Sequence, residues 1–122
     1  MTALAPDRQI FLSDGRRCVL RSRPMPWLPN YHIFFLPESD GPPTPEQERE
    51  FFGLAPRVAE DLGQRFYGDR GCFTLLLSGA RTRRRPWPHV HLLPARDVAE
   101  KRRALLLLYC KRVLRWFQRS RR

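Results

Sequence analysis

Two of the three histidines in this 122-residue chain stand two positions apart in the segment WPHVHLLP, residues 87–94. If this apolar run is a β-strand, His89 and His91 point to the same face of the sheet. Two such imidazoles suit phosphoryl chemistry, because one can attack phosphorus while the other binds phosphoryl oxygens or the leaving group. Metal binding is disfavoured, since no third ligand is spaced to complete a site. The plain alternative is a half-buried strand with a polar outer face.

The third histidine, His32, opens another apolar run, PNYHIFFLP at residues 29–37. With residues 87–94, this segment resembles the histidine-triad (HIT) superfamily of nucleotide hydrolases. Members show a PGHxLVIPK-like strand, a helix, a strand, a glycine-bearing loop and a strand carrying HxHxHxxPR. The resemblance spans roughly residues 18–96 in the family's order. It implies a HIT-like antiparallel sheet with one central helix, and a nucleotide site in which His32, His89 and His91 converge.

The family strand carries three alternating histidines, whereas this chain has two. Aligning Pro94 with the proline that closes the family motif places Trp87 in the first histidine position, His89 in the middle, nucleophilic position and His91 in the third. A register shifted towards the HPHxQ of galactose-1-phosphate uridylyltransferases makes His91 the nucleophile and puts Leu93 in the glutamine position. We favour the first register, because loss of the first histidine is less damaging than loss of the third.

The loop before the histidine strand is basic, SGARTRRRP, where the family has small and amide residues that contact phosphate. Arg83, Arg84 and Arg85 are candidates for neutralising charge on phosphoryl oxygens, and a solvated loop is the equal alternative. With Trp87, they form the predicted substrate-binding set. A second departure is Tyr31, which replaces the family glycine before the first histidine. No metal or cofactor is expected.

Strands are predicted at residues 18–22, 31–37, 72–78 and 87–93. Between the second and third, Thr44 and Gln47 form a capping box that begins a helix, and Pro56 should kink that helix. Its apolar face is predicted to be Phe51, Ala55, Val58, Leu62 and Phe66.

Asp97 and Glu100 form a second capping box, which opens a long helix to about Phe117. The order β-β-α-β-β-α predicts an α+β fold. We expect a single domain over residues 1–122, with a core at about 10–96 and a basic C-terminal helix at about 97–119.

Positive charge is concentrated in the last third of the chain. Residues 1–80 hold nine Arg against ten acids, whereas residues 81–122 hold fourteen Lys or Arg against two acids. This asymmetry favours a polyanionic partner, and solubility alone is the alternative.

The C-terminal helix is amphipathic in the sequence. Its clustered cations are Lys111, Arg112, Arg115 and Arg119, and its apolar face is Leu106, Cys110, Val113 and Phe117. We expect the apolar face to pack on the sheet. Nucleic-acid binding through the basic face comes next, and membrane attachment is the least favoured option.

The sequence has no run of 18 apolar residues, residues 1–17 lack the apolar segment of a secretory signal, and the three cysteines show no CxxC spacing. These features predict a cytoplasmic protein whose thiols are buried or half-buried.

The favoured hypothesis is a HIT-like nucleotide-binding protein that hydrolyses or transfers a nucleotide at its α-phosphate through His89. The alternatives are a catalytically weakened module that binds nucleic acid through its basic C-terminal third, and a domain with structural histidines. The sequence therefore leaves open whether the chain is an enzyme, and the resemblance suggests a homodimer.

Overall fold

The computed structural model describes residues 7–24, 30–77 and 87–120, and for residues 111–120 it describes the backbone alone. These residues form an antiparallel sheet and two long helices, which confirms the α+β class. The strands are β1 Arg8–Phe11, β2 Arg17–Ser22, β3 His32–Phe35, β4 Phe73–Leu77 and β5 His89–Pro94. The helices are α1 Pro45–Tyr67 and α2 Val98–Ser120, with a 3₁₀ turn at Glu38–Asp40.

The sheet order is β1-β2-β3-β5-β4, and every neighbouring pair is antiparallel. The two segments that carry the histidines, β3 and β5, are therefore direct neighbours. The sequence did not predict β1, whose residues RQIF are mostly exposed. The four predicted strands are all present, although their ends differ by one or two residues.

Helix α1 begins as the sequence predicts. The Thr44 hydroxyl accepts a hydrogen bond from the Gln47 backbone N–H at 3.1 Å, and the Gln47 side-chain oxygen accepts one from the Thr44 N–H at 2.9 Å. This reciprocal pair satisfies two N–H groups that the first turn would otherwise leave unpaired. The helix continues through Pro56 as one 23-residue element. It ends at Gly68, whose φ of 69° lies in the left-handed region that favours glycine.

The core lies between α1 and one face of the sheet, which we call the helix face. Phe34 on β3 and Phe51 on α1 are both fully buried, and their rings stack with centroids 4.7 Å apart. The predicted apolar face of α1 is buried except at Phe66, which is 38% exposed. The strand residues that pack against α1 in this core are Cys18, Leu20, Phe34, Val90 and Leu92.

The C-terminal end of α1 approaches the turn before β4 closely at Gly63. A Cβ atom at this position would lie 2.7 Å from the carbonyl oxygen of Asp69 and 3.2 Å from that of Cys72. Both contacts are with backbone atoms, so the neighbours cannot simply rotate away. A glycine is therefore required for the helix to pack this closely on the turn.

Helix α2 begins after Asp97 as predicted, but Glu100 does not complete the predicted capping box. The Asp97 carboxylate accepts a hydrogen bond from the Glu100 N–H at 2.9 Å. The Glu100 carboxylate accepts one from the Tyr67 hydroxyl at 2.9 Å, which ties the start of α2 to the end of α1. Ala104 is buried one turn further on.

The expectation that the apolar face of α2 packs on the sheet is wrong at both positions where its side chains are described. Leu106 is 61% exposed and Cys110 is exposed. The side chains of Val113 and Phe117 lie outside the described part of the chain.

The prediction of buried or half-buried thiols is confirmed for Cys18 and Cys72 and is wrong for Cys110. None of the described helices is long and apolar enough to cross a membrane.

Candidate functional site

His89 and His91 lie on the sheet face that points away from α1. In an antiparallel pair, directly opposite residues share a face. His91 is opposite Ile33 and His89 is opposite Phe35, whereas the intervening Val90 is opposite Phe34 of the core. We call the face that carries the two histidines the histidine face. Both imidazoles are half-buried, and their ring centroids lie 5.2 Å apart with the planes almost perpendicular. The predicted pairing of these two side chains is therefore confirmed.

The His89 imidazole is oriented by the chain just before it. Its Nδ1 lies 3.0 Å from the backbone carbonyl oxygen of Trp87. A carbonyl can only accept a hydrogen bond, so Nδ1 carries the hydrogen. In the neutral ring the lone pair must then be on Nε2. The strand start at His89 thus fixes the tautomer that a histidine nucleophile needs.

His91 is held by a residue that the sequence analysis treated only as a departure from a family pattern. The hydroxyl group of Tyr31 forms a hydrogen bond with Nδ1 of His91. The two rings lie almost parallel, with an angle of 15° and centroids 5.8 Å apart. Tyr31 is 8% exposed, so a buried side chain positions His91. The signal that could have found it is alternation, since residues 31, 33 and 35 share one face of an extended chain.

His32 lies on the opposite face, and the expectation that all three histidines converge on one pocket is wrong. It is paired with Leu92, which is fully buried in the core beneath α1. Its ring contacts Phe66 of α1, with centroids 5.8 Å apart. The strands β3 and β5 are neighbours as expected, but their register places His32 out of phase with His89 and His91.

The environment of His32 is that of a core residue. Its Nδ1 lies 2.7 Å from the backbone carbonyl oxygen of Asn30. Burial lowers the pKa of His32 below its ordinary value, and this effect outweighs the hydrogen bond to Asn30, which raises it. His32 is therefore favoured in its neutral form and is shielded from the histidine face by the sheet itself.

The predicted substrate-binding residues are only partly described. Trp87 is half-buried and supplies the carbonyl group that orients His89. Arg83, Arg84 and Arg85 lie outside the described residues. Among the described residues, the site includes two imidazoles, the Tyr31 hydroxyl and the Trp87 backbone carbonyl.

Among the described residues, no three His, Cys, Asp or Glu side chains come together as a set of metal ligands. Comparisons with protein-family models, with curated proteins and with solved structures find no match for this chain. The chemistry must therefore be argued from the site. A neutral imidazole with its lone pair on Nε2 can act as a nucleophile or base, and a second imidazole beside it can donate or accept a hydrogen bond.

Proposed function

We propose that this chain is a HIT-like protein that binds a nucleotide or a related phosphoester on its histidine face and cleaves it at the α-phosphate through His89. The observation that carries this proposal is that His89, on the sheet face that α1 does not cover, forms a hydrogen bond from Nδ1 to the carbonyl oxygen of Trp87. This hydrogen bond leaves the lone pair on Nε2 of His89 for attack. It also fixes the orientation of the imidazole ring before a substrate binds.

The strand arrangement supports the HIT-like part of the proposal. The two segments that resemble the family motifs form adjacent antiparallel strands in an α+β fold, and the helix that separates them in sequence covers the face opposite His89 and His91. The position of His32 does not support the family-based role for that residue. We therefore propose a site built on His89 and His91, without His32.

The two histidines are assigned opposite tautomers. A phenol is a stronger hydrogen-bond donor than a neutral imidazole N–H, and an imidazole nitrogen is a stronger acceptor than a phenol oxygen. The Tyr31 hydroxyl therefore donates to Nδ1 of His91, and the hydrogen of the neutral His91 ring is on Nε2. His89 then has a lone pair on Nε2, and His91 has a hydrogen on Nε2. A phosphoryl group bound between them meets a nucleophile and a hydrogen-bond donor.

The reaction follows from these roles. Nε2 of His89 attacks the α-phosphorus, a P–N bond forms, and the leaving group departs with the electrons of its own bond to phosphorus and takes a proton from solvent. The Nε2–H of His91 donates to a phosphoryl oxygen, where negative charge develops. Water then attacks the phosphorus, the P–N bond breaks with its electrons returning to Nε2, and a proton is released to solvent.

Turnover of a nucleoside phosphoramidate, measured as release of the nucleoside monophosphate, tests this proposal. His89→Ala should abolish turnover, because the covalent intermediate cannot form. His91→Ala should lower kcat by about 10²–10⁴-fold, the range for a lost acid–base or charge-stabilising contact. Tyr31→Phe should have a smaller effect in the same direction, because it removes only the hydroxyl group that orients His91.

The matched control is His32→Gln, which removes a histidine from the other face of the sheet. The folded fraction of this variant should keep its turnover. If His91→Ala is inactive and His89→Ala is only slowed, the nucleophile is His91 and the shifted register is correct. If the wild-type chain binds the nucleotide without turnover, the proposal of catalysis fails and a binding module remains.

A further inference from the structure

Helix α2 carries apolar side chains that the domain leaves in solvent. Val98 is 62% exposed, Leu106 is 61% exposed and Tyr109 is 67% exposed. With about 100° of rotation per residue, the three positions fall within roughly 80° of one another around the helix axis. We call this sector, defined by Val98, Leu106 and Tyr109, the outer face of α2.

The domain holds α2 by the side opposite to the outer face. Glu100 accepts the hydrogen bond from Tyr67 at 2.9 Å, and Ala104 is 4% exposed. By helical rotation, both residues lie about 150° or more from the middle of the outer face. Because the helix is attached through this side, the orientation of α2 turns the outer face away from the core.

The charge around the outer face is positive. Lys101, Arg102 and Arg103 are all exposed. Across residues 98–122, the sequence contains nine Lys or Arg and a single acid, Glu100, and Glu100 is bound to Tyr67. A partner that binds this surface must therefore have both an apolar region and negative charge.

We propose that α2 binds an anionic lipid surface, with its axis in the plane of the interface and its outer face inserted among the headgroups. A helix with an apolar face beside a cluster of cations has the composition of an interfacial helix. Anionic headgroups attract the Lys and Arg side chains of α2. Leu106 and Tyr109 insert at the boundary between the headgroups and the acyl chains. Arg102 lies inside the outer face, and its aliphatic stem can extend so that the guanidinium group reaches a phosphate.

Two other occupants fit the surface less well. A second copy of α2 would bring two strongly cationic helices together and would bury Arg102 without an acidic partner, which is costly. Nucleic acid would satisfy the cations through its phosphates, but it would leave Leu106 and Tyr109 in water. The sequence analysis placed membrane attachment last and expected the apolar face of α2 to pack on the sheet. The exposure of Leu106 contradicts that packing.

Co-sedimentation of the full chain with vesicles tests the proposal. We expect binding to vesicles of mixed phosphatidylcholine and phosphatidylglycerol, weakening as salt is raised, and little binding to pure phosphatidylcholine. The double variant Leu106→Ser, Tyr109→Ser should lower the partition coefficient by about tenfold or more, because two side chains no longer leave water. Both residues are exposed in the free protein, so this variant should fold normally, as circular dichroism can verify.

The matched control is Phe11→Ser, which removes an equally exposed apolar side chain, 59% exposed, from β1. This variant should bind anionic vesicles as the wild type does, and so should His89→Ala, because the histidine face is not involved. Two results would overturn the proposal: vesicle binding unchanged in the double variant, or no binding to anionic vesicles, whether or not the chain then dimerises or binds an oligonucleotide. Neither of these results bears on turnover at His89, so the two proposals fail separately.

Discussion

His32 and His89 have the same local structure on opposite faces of one sheet. Each is the first residue of its strand, and each has Nδ1 within hydrogen-bond distance of the carbonyl oxygen two residues earlier. His32 is buried beneath α1 against Phe66, whereas His89 is half-buried on the face that α1 does not cover. The same tautomer is therefore set twice, but His32 is enclosed in the core whereas His89 is partly accessible to solvent.

The comparison shows that a favourable tautomer does not make a histidine functional. The i−2 hydrogen bond belongs to the strand start and forms on either face. The two histidines differ in that α1 covers the sheet face of His32 and does not cover that of His89. Thus the helix face should govern the stability of the fold and the histidine face should govern its chemistry.

The largest expected effect separates the two faces on one strand. Phe34 is fully buried on the helix face and its neighbour Phe35 is half-buried on the histidine face, beside the Arg21 guanidinium group. Phe34→Ala should lower the free energy of unfolding by about 3–5 kcal/mol, and Phe35→Ala by about 1–2 kcal/mol. Urea denaturation measures the free energy of unfolding of both variants, and we expect their m-values to match that of the wild type. Equal losses would mean that both faces are covered alike.

A smaller effect is expected where α1 meets the turn before β4. Gly63→Ala should destabilise the fold by about 1–3 kcal/mol, because the new methyl group meets backbone oxygens. The control is Gly53→Ala in the same helix, where nothing lies within 4 Å of the added Cβ. That change should stabilise by about 0.5–1 kcal/mol through helix propensity. Stabilisation by both variants would contradict the close approach at Gly63.

The smallest of these effects is the pH dependence of stability that His32 contributes. Its folded-state pKa is lowered by burial, so between the folded and unfolded pKa values the unfolded chain binds more protons. Stability should therefore fall as the pH drops below about 6.5, the ordinary histidine pKa. Urea denaturation at pH 7.5 and pH 5 should show a smaller difference for His32→Gln than for the wild type. An equal pH difference in His32→Gln and the wild type would contradict the lowered pKa of His32.

Much of the fold follows from local sequence signals. The capping box at Thr44 and Gln47 is fixed by spacing alone, and the helix it begins appears where it was predicted. The strand β1 was missed because its short segment RQIF carries no clear alternation of buried and exposed residues. The exposure of Leu106 was missed because helical periodicity identifies an apolar face but does not say whether the domain covers it.

The site was predictable within one strand and not between strands. His89 and His91 share a face because they are two residues apart on β5, whatever that strand pairs with. The face of His32 depends on the register between β3 and β5, and a shift of one residue moves a side chain to the other face. Alternation places Tyr31 on the face opposite to His32, but its contact with His91 depends on the same register.

The central claim is that the histidine face presents a nucleophile and a donor with opposite tautomers. Long-range ¹H–¹⁵N spectra of the imidazole rings, recorded at a pH where the rings are neutral, test it directly. We expect the proton on Nδ1 in His89 and on Nε2 in His91, with the His91 signals shifting towards a mixture of tautomers in Tyr31→Phe. A proton on Nε2 of His89, or the Nδ1–H tautomer in both rings, would contradict the account.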